Sequence, residues 1–187
     1  MDESLTIQVP DELFAPAESS AFEGVWELPL LAAGPDEYRF EAPLAWRVDV
    51  TNTGEALLVA GEVGGRARGT CSRCLEEFEI DLAGEVEGYF LIEEGAEPPE
   101  DLDGDEFQTL GRDHVIDLEP LLSAGLLLEL PLKPLCSPEC KGLCFTCGAN
   151  LNEGPCGCDR RDADDDAEAA ADANNPFAVL KDFPFEQ

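Results

Sequence analysis

Residues 66–82, RARGTCSRCLEEFEIDL, contain two strand-like runs on either side of a Cys-x-x-Cys turn. A hairpin that pairs Thr70 with Glu77 would place each arginine of the first run opposite a carboxylate of the second. The facing pairs are Arg68 with Glu79 and Arg66 with Asp81. Opposite charges across two strands stabilise a hairpin. The stretch therefore predicts an antiparallel hairpin whose turn presents the thiols of Cys71 and Cys74.

Alternation of apolar and polar residues predicts further strands on both sides of this hairpin. In residues 38–50, YRFEAPLAWRVDV, the apolar side chains share one face: Tyr38, Phe40, Leu44, Trp46, Val48 and Val50. A period of two is typical of a half-buried antiparallel strand. Downstream, Gly84 and Gly88 fall in phase with the apolar residues of 78–92. Glycines in long strands usually mark bends or bulges, so we expect the sheet to coil toward a partial barrel.

One helix is predicted at about residues 117–130, DLEPLLSAGLLLEL. Asp117 is a suitable N-cap, Pro120 is tolerated in the first turn, and Pro131 ends the helix. Leucines cover most of its circumference, which predicts a helix buried against the sheet. The fold class is therefore α+β, with mainly antiparallel sheet, one buried helix and a C-terminal Cys-rich zinc-knuckle segment.

Composition divides the chain into four segments. We expect a β-rich domain with the packed helix at 1–132 and a Cys-rich metal-binding segment at 133–158. A polar, acidic linker follows at 159–173, and a short docking helix and tail occupy 174–187, because an isolated helix of that length is unstable in water. Residues 93–106, rich in Asp and Glu, predict an exposed loop.

Eight cysteines occur in closely spaced groups, which in a reducing compartment indicates metal binding rather than disulfides. The candidate ligands are Cys71, Cys74, Cys136, Cys140, Cys144, Cys147, Cys156 and Cys158. Gly142 and Gly148 allow the chain to turn so that backbone N–H groups face sulfur. A redox-active dithiol and plain buried thiols are the alternatives for the first pair.

Eight thiols suffice for two tetrahedral sites, and the spacing leaves their division open. In the preferred division, Cys144 and Cys147 join either the pair at 136 and 140 or the pair at 156 and 158. The remaining pair then meets Cys71 and Cys74. Sites closed by four thiolates are structural, so we expect one or two structural zinc ions. An iron–sulfur cluster uses the same ligands and is the alternative.

Charge limits the classes of partner. The formal net charge of -31 repels phosphate backbones and attracts basic proteins, although such acidity also suits a cytosol of high salt. Arg66, Arg68 and Arg73 could form an RNA-contacting edge. Ion pairs across the hairpin are the more economical interpretation.

Neither an enzyme nor a membrane protein is indicated. His114 is the one histidine, and phosphate-cradling or nucleophile motifs are absent from the sequence. The N-terminal residues do not resemble a signal peptide, and the apolar residues 121–132 are too few to span a bilayer. We expect a cytoplasmic protein.

Several ordered motifs resemble the bacterial and plastid YceD family, the large ribosomal RNA subunit accumulation proteins. They are CSRCLEEFE, DLEPLLSAGLLLELPLKPLC, CKGLCFTCGANLNEGPCGC and NPFAVLKDF, and the resemblance covers roughly residues 20–183. It implies a non-enzymatic factor needed for accumulation of the large-subunit ribosomal RNA and for ribosome assembly. Cys71, Cys74, Cys136, Cys140, Cys144 and Cys147, with residues 150–152, match the pattern of many members. Some members lack several of these cysteines, which implies that metal supports the fold.

Charge and resemblance together predict a zinc-stabilised acidic adaptor. Its partner would be a basic ribosomal protein or a large-subunit assembly or processing factor. A thiol-redox or metal-buffering protein is one alternative function. A direct RNA-binding module is the other, and the charge disfavours it.

Overall fold

A computed structural model describes residues 5–93 and 107–158 of the chain. Contacts divide the chain into two compact units, Met1–Cys140 and Lys141–Gln187. The predicted linker at 159–173 and the predicted docking helix and tail at 174–187 lie outside the described residues, as does most of the predicted acidic loop. The two units are described separately.

The described part of the first unit is mostly β-structure with a single α-helix. The strands are β1 (Thr6–Gln8), β2 (Ser19–Trp26), β3 (Leu30–Ala33), β4 (Asp36–Phe40), β5 (Leu44–Asn52), β6 (Ala56–Thr70), β7 (Glu77–Leu91), β8 (Gln108–Thr109) and β9 (Val115–Asp117). A 3-10 helix spans Asp11–Phe14, and α1 spans Glu119–Leu128.

Strand β6 is the centre of the main sheet. It pairs with β7 along one edge, and along the other edge with β5 and then β4. Strand β2 pairs with the outer edge of β5, and β3 pairs with the outer edge of β4. Strand β8 adds a short parallel pairing to β7. Strands β1 and β9 form a separate antiparallel pair. Within the described residues the sheet is open, so the expected coiling into a partial barrel does not extend to a closed barrel.

The β6–β7 hairpin has the predicted register. Thr70 pairs with Glu77, and the two arginines face their carboxylates as expected: Arg68 lies opposite Glu79 and Arg66 opposite Asp81. The pairing runs without interruption from this end to Ala56 opposite Leu91. Of the bend or bulge expected at the β7 glycines, the continuous register excludes the bulge.

Gly84 and Gly125 instead let α1 lie directly on β7. A Cβ atom on Gly84 would collide with the backbone of Gly125, and one on Gly125 would collide with the carbonyl oxygen of Glu85. Gly88 similarly leaves room for the side chain of Leu121. These glycines therefore allow the close approach of the helix.

Helix α1 begins one residue later than the sequence predicted, with Leu118 rather than Asp117 as its N-cap residue. The Oδ1 atom of Asp117 accepts a hydrogen bond from the N–H of Glu119 at 3.1 Å, and the helix ends before Pro131. Its burial is one-sided: Leu122 and Leu126 are fully buried, whereas Leu128 is 84% exposed. The helix is buried against the sheet as expected, but the leucines on its outer side are not covered, because the sheet covers only one face. No described helix has the length and hydropathy needed to cross a membrane.

The alternating stretch 38–50 forms two strands rather than one. Strand β4 ends at Phe40 and β5 begins at Leu44. Pro43 lies between them and has no N–H to donate to a ladder. The alternation itself is confirmed, because Tyr38, Leu44 and Val48 are all buried in the core.

Candidate metal centres

Four thiols of the first unit converge at the end of the β6–β7 hairpin. Cys71 and Cys74 lie in the turn between the two strands, and Cys136 and Cys140 lie in the segment after α1. All four Sγ atoms lie within 4.8 Å of one another. Cys71 Sγ is 3.8 Å from Cys140 Sγ, and Cys74 Sγ is 3.7 Å from Cys136 Sγ.

These distances fit the edges of a tetrahedron of sulfur around one ion. A Zn–S bond of about 2.3 Å gives a tetrahedral S···S edge of about 3.8 Å. A disulfide needs about 2.05 Å between the sulfurs, and all eight cysteines are free. The donor set and the spacing of the first group therefore suit a closed four-thiolate site that could hold a metal ion.

The turn that carries Cys71 and Cys74 is held by two backbone hydrogen bonds. The N–H of Leu75 donates to the carbonyl oxygen of Cys71 at 2.9 Å, and the N–H of Cys71 donates to that of Glu76 at 2.9 Å. Leu75 has a φ of 63°, in the left-handed region. This turn directs both thiols to the same side.

Ser72 and Arg73, the two residues between these cysteines, bind the segment that brings the other two thiols. The N–H and the hydroxyl of Ser72 donate to the carbonyl oxygen of Pro134 at 2.9 and 3.0 Å. Nη1 of Arg73 donates to the carbonyl oxygen of Cys140 at 2.8 Å and more weakly to that of Pro138 at 3.4 Å. These contacts position Cys136 and Cys140 against the turn.

The second unit contains the other four thiols. Cys144, Cys147, Cys156 and Cys158 also have their Sγ atoms within 4.8 Å of one another. The turn at Cys144 repeats the hydrogen bonds of the first turn: Gly148 N–H donates to Cys144 O, and Cys144 N–H donates to Ala149 O, both at 2.8 Å. Gly148 has a φ of 71°.

Residues 150–152 support the second group through their side chains. Oδ1 of Asn152 accepts a hydrogen bond from the N–H of Lys141 at 2.8 Å, and Oδ1 of Asn150 accepts one from the N–H of Asn152 at 3.0 Å. The N–H of Leu151 donates to the carbonyl oxygen of Gly142 at 2.9 Å. Gly142 has a φ of 72°, as its expected role in a turn requires. These bonds close the segment that carries the thiols.

The two groups differ in exposure to solvent. In the first group, Cys71, Cys74 and Cys140 are buried and Cys136 is exposed. In the second group, Cys144 is buried, Cys147 is exposed, and the other two are half-buried. An ion in the second group would therefore be the easier one for a chelator to reach.

Each group contains one thiol that ionises readily. Burial raises the pKa of Cys71, but backbone hydrogen bonds from Cys74, Cys136 and Arg73 outweigh it and lower the pKa to about 6. Backbone hydrogen bonds from Cys147 and Thr146 likewise lower the pKa of Cys144 to about 6.

Other thiols of the two groups hold their protons. A hydrogen bond with Cys140, followed by burial, raises the pKa of Cys136 to about 12. A hydrogen bond with Cys147, followed by burial, raises the pKa of Cys158 to about 12. Such shared protons leave when a metal binds, because metal ligands must be thiolates.

The structure selects one of the two divisions that the spacing left open. The pair at 156 and 158 joins Cys144 and Cys147, and the pair at 136 and 140 meets Cys71 and Cys74. The contacts of Ser72 and Arg73 were missed, because their partners lie more than sixty residues away in sequence. No local pattern signals them.

The arginines do not form a free basic edge. Arg66 pairs with Asp81 at 2.9 Å, Arg68 pairs with Glu41 at 2.7 Å, and Arg73 is engaged by backbone carbonyls. The ring of His114 lies 4.6 Å from that of Phe14, measured between centroids. These contacts favour structural roles for all four residues.

Comparison with known proteins places the chain in a family. A family profile described as "Large ribosomal RNA subunit accumulation protein YceD" matches residues 59–184, more than half of the chain. The chain belongs to the YceD family. This match covers the β6–β7 hairpin except the first three residues of β6, together with α1 and both thiol groups.

Individual bacterial proteins match parts of the chain. An uncharacterized protein of Mycobacterium tuberculosis is 35% identical over 108 residues, which cover 57% of this chain and 50% of the relative. One of Mycobacterium leprae is 31% identical over 112 residues, covering 59% and 50%. The chain thus spans about half the length of these mycobacterial relatives.

A plant relative carries a functional name. The chloroplastic "Large ribosomal RNA subunit accumulation protein YCED homolog 1" of maize is 50% identical over 40 residues, which cover 21% of this chain and 14% of that protein. No solved structure matches the chain.

Proposed function

We propose that this YceD protein is a non-enzymatic cytoplasmic factor that supports accumulation of the large-subunit ribosomal RNA and assembly of that subunit. The family description and the name of the maize relative support this role. The main structural support is the pair of four-thiol groups, which suit metal ions that stabilise a fold. Four thiolates around one ion leave no coordination position for a substrate.

Each thiol group would hold one structural zinc ion. In the first unit, zinc at Cys71, Cys74, Cys136 and Cys140 would fix the end of the hairpin to the segment after α1. In the second unit, the described residues bury little apolar surface, so zinc at the second group would supply much of the folding free energy. The sulfur spacing and the paired turns support zinc-knuckle geometry.

The charge distribution supports an adaptor that binds basic proteins. With 42 acidic and 11 basic residues, the chain repels RNA and attracts basic ribosomal proteins or assembly factors. The arginines nearest the first thiol group are occupied by carboxylates or carbonyls, which disfavours direct RNA binding. Electrostatic steering would make the encounter fast and sensitive to salt.

Two measurements test this proposal. Elemental analysis of protein purified without chelator should give two zinc ions per chain, and fewer than one would contradict the zinc sites. In cells depleted of the protein, the wild-type chain should restore the level of large-subunit ribosomal RNA. A Cys71→Ser/Cys140→Ser variant should fail to do so, with Ser137→Ala as the control. Unchanged ribosomal RNA after depletion would contradict the role in assembly.

Metal buffering is a second candidate, favoured by the accessibility of Cys147 in the second group. A buffer would exchange zinc with a competing chelator within minutes, whereas a structural site would retain it. Exchange measured separately at the two groups, by comparing variants that lack one of them, distinguishes these roles.

A further inference from the structure

The face of the main sheet opposite α1 contains a groove across β2, β5, β6 and β7. Its cavity volume is about 600 Å³, and its floor is formed by Val25, Ala45, Gly64 and Ala83. A second depression of about 540 Å³ continues from it and shares Arg47 and Glu62. We call the two together the outer groove.

The floor of the outer groove is one row of the sheet. Val25 pairs with Ala45, Ala45 with Gly64, and Gly64 with Ala83. Alanine and glycine are weak strand formers, and an outward face in the middle of long strands usually carries larger polar or β-branched side chains. Here the small side chains leave an open depression between the larger neighbouring side chains, and Val25 is 66% exposed. This row has room for the side chains of another molecule.

The walls of the outer groove are strongly acidic. Five carboxylates line the two depressions against the single guanidinium of Arg47: Glu23, Asp49, Glu62, Glu85 and Glu87. Glu62 lies directly opposite Glu85 across β6 and β7, an arrangement of like charges that destabilises a sheet. Among the described residues, no ion pair neutralises either of them.

Charge is segregated along the same face of the sheet. Nearer the hairpin turn, Arg66 pairs with Asp81 and Arg68 pairs with Glu41 and Glu79. The arginines thus neutralise carboxylates at that end, whereas the five carboxylates of the outer groove have only Arg47, which lies opposite Glu23 and Glu62, as a counter-charge. A cation of another molecule could pair with the groove carboxylates, as the arginines pair with carboxylates nearer the turn.

We propose that the outer groove is the docking site for a lysine- or arginine-rich segment of a partner protein, an inference that rests on the adaptor role proposed above. The partner's cations would pair with Glu62 and Glu85, and its smaller or apolar side chains would lie on the floor beside Val25. The acidic walls repel nucleic acid. They also repel the chain's own residues 159–173, which contain seven acidic and two basic residues.

Peptide binding to the full zinc-loaded chain tests this proposal. The probe is a fluorescein-labelled twelve-residue peptide of alternating lysine, arginine and alanine, and a peptide with glutamate in place of the cations is its control. Fluorescence anisotropy gives Kd for the wild type and for two groove variants. Glu62→Gln/Glu85→Gln removes charge, and Ala83→Phe fills the floor without changing charge. The matched charge control is Glu12→Gln/Glu129→Gln, which lies outside the groove.

Each groove variant should weaken binding of the basic peptide by about tenfold or more, as expected for a lost close charge pair or a blocked floor. The charge control should weaken it by less than about threefold. Glu62→Gln/Glu85→Gln should melt no lower than the wild type, because it removes a repulsive pair. Lost binding then does not reflect unfolding.

Equal weakening by the groove and control variants would overturn the proposal, since binding would follow net charge alone. Retained binding in Ala83→Phe would overturn it as well. Ribosomal RNA levels in cells rescued with the wild-type chain are measured independently. If these are normal while the groove variants bind as the wild type does, the groove is refuted and the assembly role stands.

Discussion

Leu75 and Gly148 occupy the same position in two turns of identical hydrogen bonding. Each follows the second cysteine of its turn, has a left-handed φ of 63° or 71°, and donates its N–H to the carbonyl oxygen of the first cysteine. Glycine adopts this conformation freely, whereas leucine is strained by about 1 kcal/mol. Leu75 is also 64% exposed, so its side chain gains little from burial.

Leu75→Gly should therefore stabilise the zinc-loaded protein by about 0.5 kcal/mol, because the relieved strain exceeds the added flexibility of the unfolded chain. Urea unfolding followed by circular dichroism measures the change. Gly148→Ala introduces the same strain into the second turn. It should therefore lower the metal affinity of the second thiol group. A destabilised Leu75→Gly protein would mean that the leucine side chain makes a compensating contact.

The contact of α1 with β7 predicts a large effect of one methyl group. Gly125→Ala should destabilise the protein by roughly 1–3 kcal/mol, because the new Cβ would collide with the carbonyl oxygen of Glu85. Helix propensity alone predicts the opposite, a gain of about 1 kcal/mol. Ala124→Gly, at an exposed neighbour, is the matched control and should cost about 1 kcal/mol from propensity only. A more stable Gly125→Ala protein would disprove the close approach.

The guanidinium of Arg73 should raise the metal affinity of the first thiol group. Arg73→Met keeps the aliphatic stem but removes the bond to Cys140, so affinity should fall by about 10- to 100-fold. Cobalt titration in a Cys144→Ala/Cys147→Ala background isolates the first group. Arg66→Met, which breaks an exposed ion pair on the same hairpin, should leave that affinity unchanged. Equal effects of the two substitutions would remove this role from Arg73.

Metal affinity should rise with pH at both groups. The lowered pKa of Cys71, about 6, keeps its thiolate present at neutral pH, whereas the raised pKa of Cys136, about 12, means that a metal must displace its proton. Each displaced proton makes affinity fall by about tenfold for every unit that the pH decreases. Competition with a chromophoric chelator at pH 6, 7 and 8 measures this slope. An affinity independent of pH would argue against thiol ligation.

The hairpin could be predicted because opposite charges close in sequence favour its register. Arg66 and Arg68 have carboxylates at matching distances on the other side of one turn, and a shift of one residue would lose both pairs. Alternation also identified the buried faces of β4 and β5. It did not show the break at Pro43, because both halves keep the same parity and pair with the same edge of β6.

Long-range contacts account for what the sequence did not show. In the sequence, Gly84 looks like the site of a bend or bulge. Its packing role is evident only from its close contact with Gly125 of α1. The division of the eight thiols into two groups also depends on long-range contacts. Cys136 and Cys156 are equally plausible partners by spacing, and the choice depends on where the chain goes after α1.

The first thiol group is also a cross-link between distant parts of the chain. Cys74 and Cys136 are 62 residues apart, so an ion held there closes a long loop that contains β7 to β9, α1 and the acidic residues 94–106. The entropy of closing such a loop grows only with the logarithm of its length, about 0.6 kcal/mol for each doubling. Insertions within the closed loop therefore cost the fold little, and the chain can carry its long acidic stretch there.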